Sequence, residues 1–185
     1  MPTLRPFRDY DEKDVINLFT VTGAALPINK GTLVVIGLSG FNNQQEPFES
    51  LGSFGGFTEP NTVTLRYGTV PKCSIAGTGD TPLGMTLFDM RETDENGLLL
   101  KYNPRKAAEM EAVLSGQTMP IVTRGIFLYS GLTGAFAAGA PIYAAANGTI
   151  TAFPAFTTGV NANPVVGKAL GISGADAFTL IRLSL

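Results

Sequence analysis

The chain contains no histidine, no tryptophan and a single cysteine, Cys73. Without an imidazole, neither a Ser-His-Asp nor a Cys-His arrangement can be assembled, and a nucleophilic thiol loses its usual activating base. One cysteine cannot close an intrachain disulfide or supply a thiolate zinc cluster. Its setting, Val70-Pro-Lys-Cys-Ser-Ile75, reads as strand or loop, with the thiol a buried or half-buried structural group. Charge is scarce as well: 15% of residues are charged, where about a quarter is usual. The net charge of −2 gives no electrostatic reason to expect a nucleic-acid partner. No apolar run is long enough to span a membrane, and the first residues lack a continuous hydrophobic signal region. Neither a membrane nor secretion is therefore expected, and synthesis in a cytoplasm fits.

What is plentiful is turn residues between short apolar runs. Gly 22 and Pro 12 punctuate stretches rich in β-branched and aromatic side chains, the composition of a turn-rich β protein. The length of 185 residues suits one domain, or one domain with a large insertion or arm. Gly31-Thr-Leu-Val-Val-Ile36 is apolar on both faces, which predicts a central strand. Val15–Thr22, Thr62–Tyr67, Leu83–Phe88 and Leu98–Tyr102 read as further strands, with turns at Gly77–Asp80 and Asp94–Gly97. One helix is expected over about 104–115. Asn103 is its candidate cap, Pro104 suits its first turn, Ala107, Met110, Val113 and Leu114 form an apolar stripe, and Gly116 follows its end.

The fold class expected is mainly β: a barrel or sandwich of short antiparallel strands with that accessory helix and an extended N-terminal arm. Residues 1–30 are read as the arm and first strand, and 31–185 as a β-rich body carrying an aromatic, glycine-rich loop at about 37–61.

The last third carries the densest pattern. Gly139-Ala-Pro-Ile-Tyr143 precedes Asn147-Gly-Thr-Ile-Thr151, in which Asn147-Gly148 is a strong hairpin signal because both residues tolerate positive φ. Val165-Val-Gly-Lys-Ala-Leu-Gly171 follows, and Phe178-Thr-Leu-Ile-Arg-Leu-Ser-Leu185 ends the chain. That final run alternates Phe178, Leu180, Arg182 and Ser184 on one face with Thr179, Ile181, Leu183 and Leu185 on the other. In this order, over roughly residues 120–185, the pieces resemble the C-terminal part of head decoration (capsid cement) proteins of tailed bacteriophages. The shared motifs are Gly-x-Pro-[Ile/Val]-Tyr, Asn-Gly-x-[Ile/Val]-Thr, Val-Gly-x-Ala-Leu and a last apolar strand.

The resemblance implies a virion structural protein that binds the outer capsid surface and stabilises the shell by bridging capsid subunits. Its expected partners are the major capsid protein and further copies of itself, with a trimer favoured. Its place would be the outside of the virion, after synthesis in the host cytoplasm. The alternatives are a tail- or fibre-associated β-rich virion protein, and a carbohydrate-binding module or His-free glycosidase, against which the absence of tryptophan weighs.

Neither catalysis nor a cofactor or metal is expected. Ala76-Gly-Thr-Gly-Asp-Thr-Pro-Leu-Gly84 lacks the Gly-Lys-[Ser/Thr] of a phosphate loop. Asp89, Glu92, Asp94 and Glu95 lack calcium-loop spacing and read as an exposed turn. The candidate capsid or subunit contacts are Arg5, Phe7, Arg8 and Tyr10 in the arm and Phe41, Phe48, Phe54 and Phe57 in the aromatic loop. Those loop aromatics either pin the loop to its own domain or anchor a neighbouring subunit.

Overall fold

The computed structural model describes residues 3–8, 10–22, 26–36, 72–132, 134–154, 156–157, 160–161, 163–172 and 178–185. The chain is mainly β. It opens with β1 (Leu4–Arg8), β2 (Val15–Ile16), β3 (Thr20–Thr22) and β4 (Leu33–Ile36). Next come β5 (Lys72–Ile75), β6 (Gly84–Thr86) and β7 (Asp89–Met90), then the helix α1 (Pro104–Glu109). After the helix lie β8 (Ala112–Val113), β9 (Ile121–Val122) and β10 (Arg124–Tyr129). The C-terminal part holds β11 (Pro141–Ala144), β12 (Ile150–Thr151), β13 (Phe156–Thr157), β14 (Val160–Asn161), β15 (Val165–Ala169) and β16 (Thr179–Ser184). The strand expected at Thr62–Tyr67 and the loop expected at about 37–61 lie outside the described residues.

Two six-stranded sheets organise these elements. The first runs β1-β10-β16-β15-β11-β12 and is antiparallel throughout. The second runs β2-β9-β6-β4-β5-β3, antiparallel except for the parallel pair β3–β5. Two small pairs, parallel β7–β8 and antiparallel β13–β14, complete the description. Among the described residues neither large sheet closes on itself, so the arrangement is that of a sandwich and not of a closed barrel.

Alternation decides what each strand buries. On β10 and β16, Phe127, Tyr129, Ile181 and Leu183 point inward and are fully buried. With Leu4, Ile142, Ile150 and Val166 they meet Leu33, Met85 and Val122 of the second sheet, forming the core between the two sheets. The second sheet is buried on its other face too. Val34, Cys73 and Ile121 pack there with Phe19, Val21, Ile28, Met90, Val113 and Met119 in a second core. Neighbours in sequence thus serve opposite cores, Leu33 against Val34 and Val122 against Ile121. That is why the Gly31–Ile36 run is apolar without alternation, and β4 lies between β6 and β5, central as expected.

Four local expectations change. The helix ends at Glu109 instead of about 115. Glu111 adopts φ 49, and Ala112–Val113 forms β8, paired in parallel with β7. A single turn or two of isolated helix is marginal in water, so the bonds offered by β7 and the burial of Val113 outweigh continuation of the helix. Asn103 makes no side-chain cap, and Gly116, at φ +85, lies in the turn beyond β8. Leu98–Tyr102 is not a strand. A single bridge joins Thr93 to Leu99, and a 3-10 turn over Leu100–Tyr102 carries Leu100 into the interior. Val15–Thr22 splits into β2 and β3, which occupy opposite edges of the second sheet. The N-terminal residues are extended, but β1 is an edge strand of the first sheet with Leu4 in the core.

The C-terminal expectations hold in outline. β11 and β12 pair as a hairpin, and Asn147 and Gly148 both take positive φ, at 57 and 66. The connection is wider than a two-residue turn: Ala145 donates its amide to the Thr149 carbonyl around a short 3-10 turn. β16 lies inside the first sheet between β10 and β15, with Arg182 and Ser184 outward. The Gly77–Asp80 and Asp94–Gly97 turns also form. Asp80 accepts the Gly77 amide, and Asp94 accepts the amides of Asn96 and Leu98.

Candidate binding surface on the first sheet

The outward face of the first sheet is built by register. On β10 the outward residues are Arg124, Ile126 and Leu128. Opposite them on β16 stand Ser184, Arg182 and Leu180. Arg182 in turn faces Lys168 on β15, and Arg5 of β1 faces Leu128. The apolar members are half-buried, while Arg5, Arg124, Lys168 and Arg182 are exposed. None of the six strands of this sheet contains an aspartate or glutamate.

Lys168 and Arg182 form a like-charge pair directly across two strands. Side chains so placed start about 5 Å apart, and like charges there are destabilising by a few tenths to about 1 kcal/mol. Neither Lys168 nor Arg182 makes an ion pair with a described residue. The ion pairs among the described residues are Lys30–Glu111, Arg91–Asp89, Arg105–Glu109 and Lys106–Glu95, none of them on the strands of the first sheet. The face therefore couples a row of cations without ion-pair partners among the described residues to a half-buried aliphatic strip, an arrangement suited to an anionic surface.

The N-terminal segment borders this face. The guanidinium of Arg5 lies 4.5 Å from the centroid of the Phe178 ring, a cation–π contact that holds Arg5 over the sheet. Phe7 is 53% exposed on β1. Tyr10 packs at 5.4 Å on Phe127 and opens into a cleft of about 710 Å³, which Lys13, Arg124 and Arg182 also line. Asp11 and Asp14 line that cleft as well. Both are engaged locally: Asp11 accepts the Lys13 amide, Asp14 accepts the Asp11 amide, and the Asp14 carbonyl accepts from Thr123 just before β10. This capped turn fixes the Tyr10 end of the cleft to the sheet.

Of the expected contact residues, Arg5, Phe7 and Tyr10 are thus exposed along one border of the first sheet, and Arg8 contributes backbone to β1. The Arg8 side chain and all of Phe41, Phe48, Phe54 and Phe57 lie outside the described residues. Sequence reasoning missed Lys13, Arg124, Lys168 and Arg182 as a group. The available signal was that Lys168 and Arg182 are nearly the last charges in the chain, but only strand register sets them opposite each other.

The remaining candidates resolve into structure. Asp89 accepts the Lys30 amide and pairs with Arg91, and Glu95 pairs with Lys106. Cys73 is buried in the second core, where its Sγ donates to the Thr20 carbonyl at 3.5 Å and burial pushes the thiol up to about 11. It is a packed thiol, not a thiolate. Among the described residues no helix is long and apolar enough to cross a membrane. Set against protein-family models and curated proteins, the chain matches none.

Proposed function

We propose that the protein is a virion structural component of a tailed phage that attaches to the outer surface of an assembled capsid and reinforces it, using the outward face of the first sheet. The reading joins the cement-protein resemblance of residues 120–185 to one observation, the like-charged Lys168–Arg182 pair across β15 and β16 with Arg124 beside it. Strands that carry like charges face to face give up folding stability, and an acidic surface on the major capsid protein recovers it on binding. The aliphatic strip of Ile126, Leu128 and Leu180 supplies apolar contact between the cations, Arg5 and Phe7 extend the footprint along β1, and Tyr10 lies just beyond the end of that strand. Several copies, as a homo-oligomer with a trimer favoured at threefold capsid sites, would clamp neighbouring capsid subunits together. Separating those subunits then requires several interfaces to break at once. No chemical step is involved.

The experiment adds purified protein to undecorated particles and measures occupancy and the temperature of shell disruption. Binding should raise that temperature. It should weaken between about 0.1 M and about 1 M salt, over which the screening length falls from about 10 Å to about 3 Å. Removing the N-terminal residues is not a clean probe, because β1 and Leu4 belong to the fold. Arg5→Ala and Phe7→Ala, which leave β1 in place, test that border instead. If full-length protein neither binds particles nor raises their disruption temperature, the reading is wrong. Binding indifferent to salt would remove the charged face from it.

A further inference from the structure

At the opposite edge of the first sheet, next to β12, lies a second cavity of about 460 Å³ with a different character. None of the described side chains that line it is ionisable; Thr78, Thr149, Thr151, Phe153 and Asn163 supply its polar and aromatic groups. Asn163 is only 5% exposed, yet its Oδ1 has no hydrogen-bond partner. A buried carbonyl left without a donor is costly, so such an orphan marks a place where a donor belongs.

We propose that this cavity is a binding site for a neutral saccharide. With no ionisable group among the described lining residues, a charged ligand would be desolvated there without a counter-ion, which selects against phosphate, carboxylate and ammonium groups. The polar groups suit hydroxyls. Thr149 Oγ1 donates to the Ala146 carbonyl and so is left to accept, whereas Thr151 Oγ1 accepts the Phe153 amide and keeps its proton to donate. A sugar hydroxyl both donates and accepts, so it satisfies the Asn163 amide in either orientation of its oxygen and nitrogen. Phe153, 55% exposed, offers an aromatic ring for the C–H face of a pyranose, and Gly134 packs against that ring so closely that it leaves no room for a β-carbon. The volume falls within the usual small-ligand range of about 300–1,000 Å³. The site stands apart from the cationic face, and its assignment does not depend on capsid binding.

The test titrates the intact protein with neutral hexoses, N-acetylhexosamines and their disaccharides, alongside sulfated and sialylated counterparts, following amide chemical shifts. At least one neutral sugar should bind saturably, shifting resonances of the Thr149–Phe153 segment and Asn163. Phe153→Ala should weaken that sugar by about tenfold or more, a factor equal to the loss of one good contact. Thr78→Val, at an exposed position, should weaken it with thermal stability unchanged, which keeps the test valid if Asn163→Leu fails to fold. Absence of binding by every neutral sugar overturns the proposal and leaves the cavity to water. Preference for the charged counterparts, or full affinity in Phe153→Ala, overturns it equally.

Discussion

Replacing Gly148 with alanine probes how the first sheet is stitched to the second. Gly148 lies at the tip of the β11–β12 hairpin with φ +66, buried, and its amide donates to the Ala76 carbonyl at 2.8 Å. A β-carbon there would stand 2.5 Å from Thr32 Cγ2, 2.7 Å from the Leu33 carbonyl oxygen and 2.9 Å from Ile75 Cγ2. The left-handed backbone costs an L-residue roughly 1–2 kcal/mol, and forcing a methyl into a packed contact costs roughly 1–3 kcal/mol more. The Leu33 oxygen is main chain held in β4, so it cannot swing aside as a side chain would. The expected loss is therefore about 2–5 kcal/mol, and a loss of about 3 kcal/mol lowers the melting temperature of a chain this long by roughly 6–12 °C. Gly139 supplies the control. It has φ +86 with nothing within 4 Å of its would-be β-carbon, so Gly139→Ala should show the backbone term alone, about 1–2 kcal/mol. Urea unfolding of both variants with a shared slope measures the difference. Equal losses for the two alanines would refute the docking of the hairpin on β4 and β5, and Gly148→Val should be worse than either.

Leu4→Ala should destabilise by about 2–5 kcal/mol, as for other buried leucines, and deletion of residues 1–14 should lower the urea midpoint further; an unchanged midpoint would mean that β1 is a detachable arm. Burial raises Cys73 from 9.0 to about 11 and Tyr129 from 10.0 to about 12. Each group titrates earlier in the unfolded chain, so stability is whole below about pH 9 and falls as pH rises through 9–12. Cys73→Ala should abolish the earlier part of that fall and Tyr129→Phe the later part, read as urea midpoint against pH. Lys168→Glu places opposite charges across β15 and β16, so it should raise stability by a few tenths to about 1 kcal/mol while lowering capsid occupancy. A variant that loses stability, or keeps full occupancy, counts against the charged face.

Legibility followed the range of the interactions involved. The β11–β12 hairpin, the alternation of β16 and the central place of β4 were all readable, because each rests on residues within one strand or turn. The end of the helix is hidden in the sequence because two local patterns overlap there. Val113 sits at helical spacing from Met110 and is also a β-branched residue able to pair beside Met90. Only the tertiary partner decides between those uses. The strand expected at Leu98–Tyr102 failed for a similar reason, since the Asp94 carboxylate collects the Asn96 and Leu98 amides and turns the chain before pairing can extend. The cationic face needed registers between β10, β15 and β16, whose residues lie as much as 60 positions apart in sequence, such as Arg124 and Ser184. The orphaned Asn163 amide has no sequence signature at all, because it is defined by what fails to reach it.

Burial also narrows where a partner can dock. The second sheet spends both faces on cores, Leu33, Met85 and Val122 to one side and Val34, Cys73 and Ile121 to the other. Among the described residues, the outward face of the first sheet is thus the broad strand-built surface left for contact. Its β1 edge is poorly made for strand addition. Pro6 has no amide hydrogen to donate, and the register shift between Pro6 and Arg8 breaks the ladder there. A partner would therefore meet side chains on the face rather than backbone at the edge. Backbone pairing is nearly indifferent to side-chain charge, whereas a face carrying Arg124, Lys168 and Arg182 without a carboxylate on its strands is sensitive to charge and salt. Salt sensitivity of shell binding, together with opposite movements of stability and occupancy in Lys168→Glu, separates docking on the face from strand addition at the edge.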